Sequence, residues 1–397
     1  MTPRLILDVH ALQNVPPSNL NRDDTGAPKT AVYGGVTRAR VSSQAWKRAT
    51  RRYFTQLLDP KELGVRTKRV AELLAERITT LRPDLDGPPA LALAAEVLQT
   101  ATGSKIAPPK RKADAAKKNG EPEPAPESSY LMFLSARQLD LLAALAVEGA
   151  DDITAFFKDK DAKARAKKIA DGRHSVDIAL FGRMVADSAD INVDAAAQVA
   201  HAISVHRAET ESDYFTAVDD RNTDAEPGAG MIGTVDFNSA TLYRYAAVDV
   251  DLLARNLGQG LDEDEPATPV RRAVEAFLDG FVSSLPTGKV NTFGNHTLPD
   301  AVVVKLRTAR PVSFVSAFEK PVLADEFGGH MEPACARLAD YVPELERAYG
   351  EEGCLTWVLR VGPATAKLAS LGTETPSLSA VVSSVGQAVA DRLEQRG

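Results

Sequence analysis

Val36-Thr37-Arg38-Ala39-Arg40-Val41-Ser42-Ser43-Gln44-Ala45-Trp46-Lys47-Arg48-Ala49-Thr50-Arg51-Arg52-Tyr53 is the stretch on which the reading of this chain turns. Ser42 or Ser43 has the chemistry of a helix N-cap, since a hydroxyl there accepts from an otherwise orphaned backbone N–H. The helix it opens is expected to run to about Leu58. At helical spacing Trp46, Ala49, Tyr53 and Leu57 share one face, and Lys47, Arg48, Arg51 and Arg52 lie largely on the other. Such a helix buries one side and leaves a cationic arc in water. Between Thr25 and Leu58 there are seven basic residues and no acidic one.

The stretch is set in an acidic chain. The 397 residues carry a formal charge of −7, yet the first 58 hold nine Lys/Arg against three Asp/Glu. A polyanion responds to the local stripe rather than to the total. Hydrophobic residues make up 44% and charged residues 25%, which rules out global disorder. No apolar run is long enough for a membrane span, and Met1 to Leu12 does not read as a secretory leader. Cys335 and Cys354 are too few for a disulfide scaffold or a cysteine zinc site. A reducing, cytoplasmic setting is expected.

Outward from the basic stretch, Arg4–Leu12 reads as a strand, ended near Asn14 and Pro16-Pro17. Asn14–Gly35 reads as a loop, in which Gly34-Gly35 is either a close approach for phosphates or an ordinary turn. Residues 59–171 contain helix patterns at Lys68–Leu81, Ala90–Thr100, Tyr130–Val147 and Asp161–Asp171. The Lys- and Pro-rich tract Ser104–Ser129 reads as a flexible, disordered surface loop. Val176–Val185, Thr241–Val250, Ala301–Leu306 and Leu355–Val361 are strand candidates, and Ala195–Val205 fits helix or strand. Helices are expected at Pro269–Leu285, Cys335–Tyr349 and Ser377–Gln395. The pattern is a mixed α/β (α+β) body split by a helical insertion. His206–Gly233 is a polar excursion too long for a plain connection, and it holds Tyr214, Phe215, Val218 and Met231.

Catalytic patterns are scarce. His201 and His206 are five apart, which suits no helical metal pair. The acids after His206 lack the register of a calcium loop, so neither a metal nor another cofactor is expected. Gly288-Lys289 lacks the earlier glycine and the following Ser/Thr of a phosphate loop. Gly228-x-Gly230-x-x-Gly233 matches a dinucleotide fingerprint in letters only. Binding is the chemistry that remains: Arg22, Lys29, Arg38, Arg40, Lys47, Arg48 and Arg51 supply charge, and Ser42 and Gln44 supply neutral hydrogen bonds. Such groups hold a strand by its phosphates without reading its bases.

Several motifs then occur together: Leu20-Asn21-Arg22-Asp23-Asp24, Tyr33-Gly34-Gly35 and Arg38-Ala39-Arg40-Val41-Ser42-Ser43-Gln44. Val176-Asp177-Ile178-Ala179-Leu180-Phe181-Gly182-Arg183-Met184, Ala200-His201-Ala202-Ile203, Phe215-Thr216-Ala217-Val218-Asp219-Asp220 and Tyr243-Arg244-Tyr245 follow. In this order they closely resemble the CasC (Cse-type) family, the CRISPR-RNA-binding backbone subunits of the type I-E Cascade complex. The resemblance implies a palm related to the RNA-recognition motif, an inserted helical fingers domain and a long thumb hairpin. Mapped here, the palm is 1–58, 172–205 and 234–397, the fingers are 59–171 with a flexible 104–129, and the thumb is 206–233. It implies no enzymatic activity. It implies copies stacked head to tail along a guide RNA, with the thumb displacing every sixth base. The implied partners are the guide, target DNA paired to it, further copies of the chain, and the CasA, CasB, CasD and CasE subunits, with no membrane. Arg22, Lys29, Arg38, Arg40, Ser42, Gln44, Lys47, Arg48 and Arg51 fall in segments where the family holds guide phosphates. Met184 matches a residue packing on guide bases. On the thumb, Phe215 and Val218 are expected to anchor and Met231 to lie nearer the RNA. Two rivals stay open: an RNA-processing endoribonuclease using His10, His201 or His206 as base, and a subunit that touches only protein.

Overall fold

The computed structural model describes residues 4–185, 191–217, 231–258, 267–326, 328–351 and 353–396. Contacts divide the chain into two units. One comprises residues 1–54, 197–250 and 274–397, and the other residues 55–196 and 251–273.

The first unit is organised by a strand that starts close to where the sequence places it. Ile6–Ser18 lies between Met231–Asp249 and Ala301–Arg307, antiparallel to both. Its residues 6–13 are buried without alternation, as expected of a strand covered on both faces. The strand continues past Asn14 through Pro16-Pro17, where the register with Met231–Asp249 shifts between Val15 and Ser18. Proline has no N–H to give the ladder, and a register irregularity is where a strand tolerates it. The sheet continues outward on one side through Leu355–Arg360 and Thr373–Glu374. On the other side it passes through Ala202–Ser204, Val36–Val41 and Thr30–Tyr33. This is the large mixed sheet of an RNA-recognition-motif-like palm. The ambiguous 195–205 segment resolves into two short strands, Ala197–Val199 and Ala202–Ser204. The Asn14–Gly35 stretch is not all loop, since Thr30–Tyr33 forms a hairpin with Val36–Val41. Gly34-Gly35 is its turn, with φ of +61° and +77°. At Gly34 a Cβ would lie 1.7 Å from the Glu319 carbonyl oxygen, so only glycine fits.

Met331–Tyr349 covers one sheet face by setting Met331, Ala334, Cys335, Leu338 and Val342 on Leu12, Tyr243, Val303 and Val358. Met331, Leu338 and Val342 each contribute roughly 1.5–3 kcal/mol by leaving water. Ser43–Tyr53 is the helix opened by Ser42, shorter than the expected run to Leu58. Its buried stripe is Trp46, Thr50 and then Phe54, at spacing four. Ala49 and Tyr53 are only partly buried and Leu57 is exposed, so the expected face is rotated. The cause is a close helix contact: a Cβ at Gly280 would meet Phe54 and Thr50 at 3.1–3.3 Å.

The second unit is a helical cluster of Val70–Leu81, Pro88–Thr102, Ala136–Glu148 and Lys160–Ala170 around an Ala/Leu/Val core. Residues before Ala136 form a strand, Met132–Ser135, paired with Gly64–Thr67. Two sequence expectations fail here. Val176–Val185 is not a strand: Val176–Phe181 is a helix ended by Gly182 at φ +77°. Periodicity cannot separate a buried helix from a strand in so short and largely apolar a run. Asp177 decides it, its Oδ1 accepting from Ser175 Oγ at 2.6 Å and Gly64 N at 2.9 Å. The tract 104–129 is not structureless either. Lys110–Asn119 is a helix, Ile106–Ala107 pairs with Glu127–Ser128, and Lys112 Nζ reaches Glu127 at 2.8 Å. This stretch of the unit runs on to Ala196, with Ile178 packed on Phe133 and Val193.

Candidate nucleic-acid interface

Three chain segments of the first unit are tied together at its basic edge. Lys29 N donates to Asn21 O and Arg40 N donates to Lys29 O, both at 2.9 Å. Asn21 Oδ1 accepts from Ser42 N at 2.9 Å, joining the loop to the helix start. Within the loop, Asp23 Oδ1 accepts from Thr25 N, Thr25 Oγ1 and Ala27 N at 2.8–3.0 Å. The Thr25 hydroxyl first, and then backbone N–H groups, hold this carboxyl below its ordinary range. These bonds present Arg22, Lys29 and Arg40 beside the Ser43–Tyr53 helix start. Ser42 is itself mostly buried, and its Oγ accepts from Ala45 N at 3.3 Å.

Arg40 Nε donates to Thr30 O at 3.0 Å, and its Nη1 donates to His201 Nδ1 at 3.2 Å. His201 therefore carries its proton on Nε2. Burial, then the charges of Arg40 and Lys29, lowers its basicity and keeps it neutral at pH 7. Sequence reasoning held His201 only as a base for the nuclease rival, and the structure makes it a partner of the basic edge. Its place beside Ile203, which pairs with Arg40 across two strands, was the missing signal.

Arg38, two residues earlier, is a correction. Its guanidinium is fully buried and donates to four carbonyls, those of Tyr33, Ser204, Phe318 and Glu319, at 2.9–3.1 Å. Four of its five N–H donors are spent on these carbonyls, so within this fold it acts as a strut of the sheet. On the helix, Gln44 and Arg48 are exposed and Arg51 is half-buried. Lys47 borders the buried stripe, and burial lowers its ammonium from the usual range.

The other rival bases are internal. His10 is fully buried, with its ring 4.0 Å from Phe314 and Nδ1 2.9 Å from the Tyr243 hydroxyl. His206 Nε2 accepts from Thr241 N at 3.1 Å, and its Nδ1 lies 2.6 Å from Arg207 O. Among the described residues no three His, Cys, Asp or Glu gather to hold a metal. No helix among them is long and apolar enough to cross a membrane.

The excursion begins as a hairpin. Glu211–Ala217 pairs with the first part of Met231–Asp249, from Glu211 opposite Phe237 to Ala217 opposite Met231. Phe215 lies over Gly233 on the facing strand, where a Cβ would meet its ring at 2.5 Å. Phe215 thus packs across its own hairpin. Val218 lies outside the described residues, as do Asp219, Asp220, Asp224 and Glu226. In the second unit, Met184 is 84% exposed. It is displayed between two pinned neighbours: Arg183 Nε donates to Ile191 O at 2.7 Å, and Val185 N to Asn192 Oδ1 at 2.6 Å.

A mixed sheet with a basic, hydrogen-bonded edge and a β-hairpin outside its main strand order is an arrangement that nucleic-acid-binding proteins use. A protein-family model described as CT1975-like protein matches residues 7–384, and the chain belongs to that family. It is similar to a chain of a structure described as "CRISPR RNA-guided surveillance complex, pre-nicking". The two are 35% identical over 97% of this chain and 100% of that one, with a TM-score of 0.81. A chain of a second "CRISPR RNA-guided surveillance complex" is 32% identical over 96% and 99%, with a TM-score of 0.71. No curated protein sequence matches. These findings bear out the CasC-type resemblance drawn from the motifs.

Proposed function

We propose that this chain is a non-catalytic backbone subunit of a type I-E Cascade surveillance complex, and that it polymerises along CRISPR guide RNA in the cytoplasm. The observation that carries the reading is the bonded lattice that fixes Arg22, Lys29 and Arg40 next to the start of the Ser43–Tyr53 helix. Preset cations and helix-start N–H groups suit backbone phosphates. In this reading the first unit is the palm, the helical unit the fingers, and the hairpin from Glu211 the thumb. Arg22, Lys29, Arg40, Gln44, Lys47, Arg48 and Arg51 hold the guide, and Met184 with the hairpin side chains meets bases.

Head-to-tail stacking of identical chains is a heterologous interface that does not close, and it generates a helical filament. Target specificity then lies in pairing between guide and DNA. CasA, CasB, CasD and CasE complete the assembly. Thumbs repeated along the filament displace guide bases at a fixed interval, at a cost of a few kcal/mol per unstacked step. The test is purification of the tagged chain with its complex, followed by RNA sequencing and incubation with repeat RNA. Co-purified guide that is protected and uncut supports the reading. Absence of RNA would overturn it in favour of a protein-only subunit, and cleavage in favour of a nuclease.

A further inference from the structure

The helical unit contains a cavity of about 90 Å³ bordered by Lys61, Arg137, Arg173, Arg272 and His174. We infer that this cavity is a phosphate-group site, separate from the guide-binding edge and independent of the reading given above.

The first argument is charge. Four cationic side chains border the cavity against one carboxylate, Glu62. Glu62 is already engaged, its Oε2 2.8 Å from Arg272 Nη2 and accepting from Asp59 N at 3.2 Å. Elsewhere in this unit several cations sit on acids: Arg69 on Glu72, Arg77 on Asp140, Arg82 on Asp84, Lys112 on Glu127 and Arg165 on Glu148. Lys61 and Arg137 meet no carboxylate among the described residues. Gathering like charges around one hollow raises the free energy of the fold, and a bound anion offsets that.

The second argument is geometry. Arg173 has φ +51°, one of two non-glycine residues in the left-handed region among those described. Such a conformation costs about 1–3 kcal/mol and persists where its surroundings over-determine it, which is characteristic of ligand clamps. Here Ser135 Oγ donates to Arg173 O at 3.1 Å and Gln138 Nε2 to Gly172 O at 2.7 Å. Arg137 lies in the first turn of Ala136–Glu148, and Thr268 and Arg272 lie near the start of Ala267–Ser283. The positive ends of two long helices therefore add to the field of the side chains.

Size selects the ligand. The hollow is far below the roughly 300–1,000 Å³ of small-molecule pockets. It has room for a tetrahedral oxyanion, and arginine forks match phosphate oxygens. The phosphate is either free in solution or part of a strand lying across the mouth.

The test uses the full chain and Lys61→Ala/Arg137→Ala, two exposed positions whose loss leaves the core intact. Inorganic phosphate, at ionic strength matched with chloride, should raise the melting temperature of the wild type, because a ligand of the native state stabilises it. The double variant should lose that rise. Affinities for a 20-nucleotide RNA and a 20-base-pair DNA, measured at two salt concentrations, separate the sources. A roughly tenfold loss of oligonucleotide affinity in the double variant, with its salt slope flattened by about 0.7–0.9, assigns the site to a strand. A thermal shift without that loss assigns it to the free anion. Arg48→Ala/Arg51→Ala, on the guide-binding edge, should retain the phosphate-induced rise, so failure of one site is distinguishable from failure of the other. Equal thermal shifts and equal affinities in wild type and Lys61→Ala/Arg137→Ala would overturn the proposal.

Discussion

The two units use arginine in opposite ways. In the sheet unit Arg38, Arg244 and Arg307 are almost wholly buried and act as internal struts. Arg244 stacks 3.8 Å over Trp46 and donates to Gln13 Oε1 at 2.7 Å and to the Phe281 carbonyl. Burial lowers it to about 9, so it is still charged at pH 7. Arg307 bridges Asp8 at 2.7 Å and Glu346 at 2.8 Å. In the helical unit Arg69, Arg82 and Arg165 lie at the surface against carboxylates a few residues or one helix away. The difference teaches that a count of cations does not locate a binding site. What matters is which cations the fold consumes, which it neutralises, and which it holds in place and leaves facing water.

The contrast is most sharply tested at Arg307. Arg307→Met leaves Asp8 without its cation inside the protein, while Glu346 keeps Lys305 at 2.9 Å, and should destabilise by about 3–5 kcal/mol in denaturant titration. A loss under 1 kcal/mol would mean that the sheet unit tolerates removal of its struts. Arg38→Ala should follow, since it strands several carbonyls at about 1–3 kcal/mol for each buried group left unsatisfied. If Arg38→Ala instead left the melting temperature intact and reduced RNA binding, Arg38 would return to the interface.

Acidification should act on the sheet unit. Burial holds His10 well below its ordinary range, and His206 and His330, stacked at 3.9 Å, are also lowered. The unfolded chain takes up these protons first, so stability is full above pH 6.5 and is lost as pH falls below it. His10 alone contributes a slope of about 1.4 kcal/mol per pH unit there. Asp8, pushed up to about 6 chiefly by burial, takes up its proton in the folded state first. It offsets part of the loss only below that pH. Melting temperatures of wild type and His10→Phe from pH 7.5 to 5 should diverge in slope, and parallel curves would exclude His10.

At the basic edge, Lys47→Ala/Arg48→Ala/Arg51→Ala should weaken guide binding and flatten the plot of log affinity against log salt by about 2, at about 0.7 per phosphate. An unchanged slope with intact folding would move the site elsewhere. The smallest effect belongs to the helical surface: Arg165→Ala, which loses its solvent-screened pair with Glu148, should leave the midpoint of a denaturant titration almost unchanged.

Much of this was legible in residue order. The Ser42 cap, the run Ala301–Arg307 and the helix Met331–Tyr349 follow from local chemistry and period, because capping and amphipathicity act over a few residues. Less legible were the segments where two local readings compete. Val176–Phe181 is apolar but for Asp177, and Lys110–Asn119 sits between Pro-containing flanks.

By itself the sequence determined the mixed α/β class, the helical insertion, the basic N-terminal segment and the family motifs. Tertiary structure alone decided that Arg38 is consumed by Ser204, Phe318 and Glu319 while Arg40 stays at the edge beside His201. It also decided that Met184 faces water and that Lys61, Arg137 and Arg272 border one hollow. The physical reason is range. Caps and periodicity are set by neighbours three or four positions away, whereas the fate of a charge depends on carbonyls and carboxylates that arrive from more than a hundred residues along the chain.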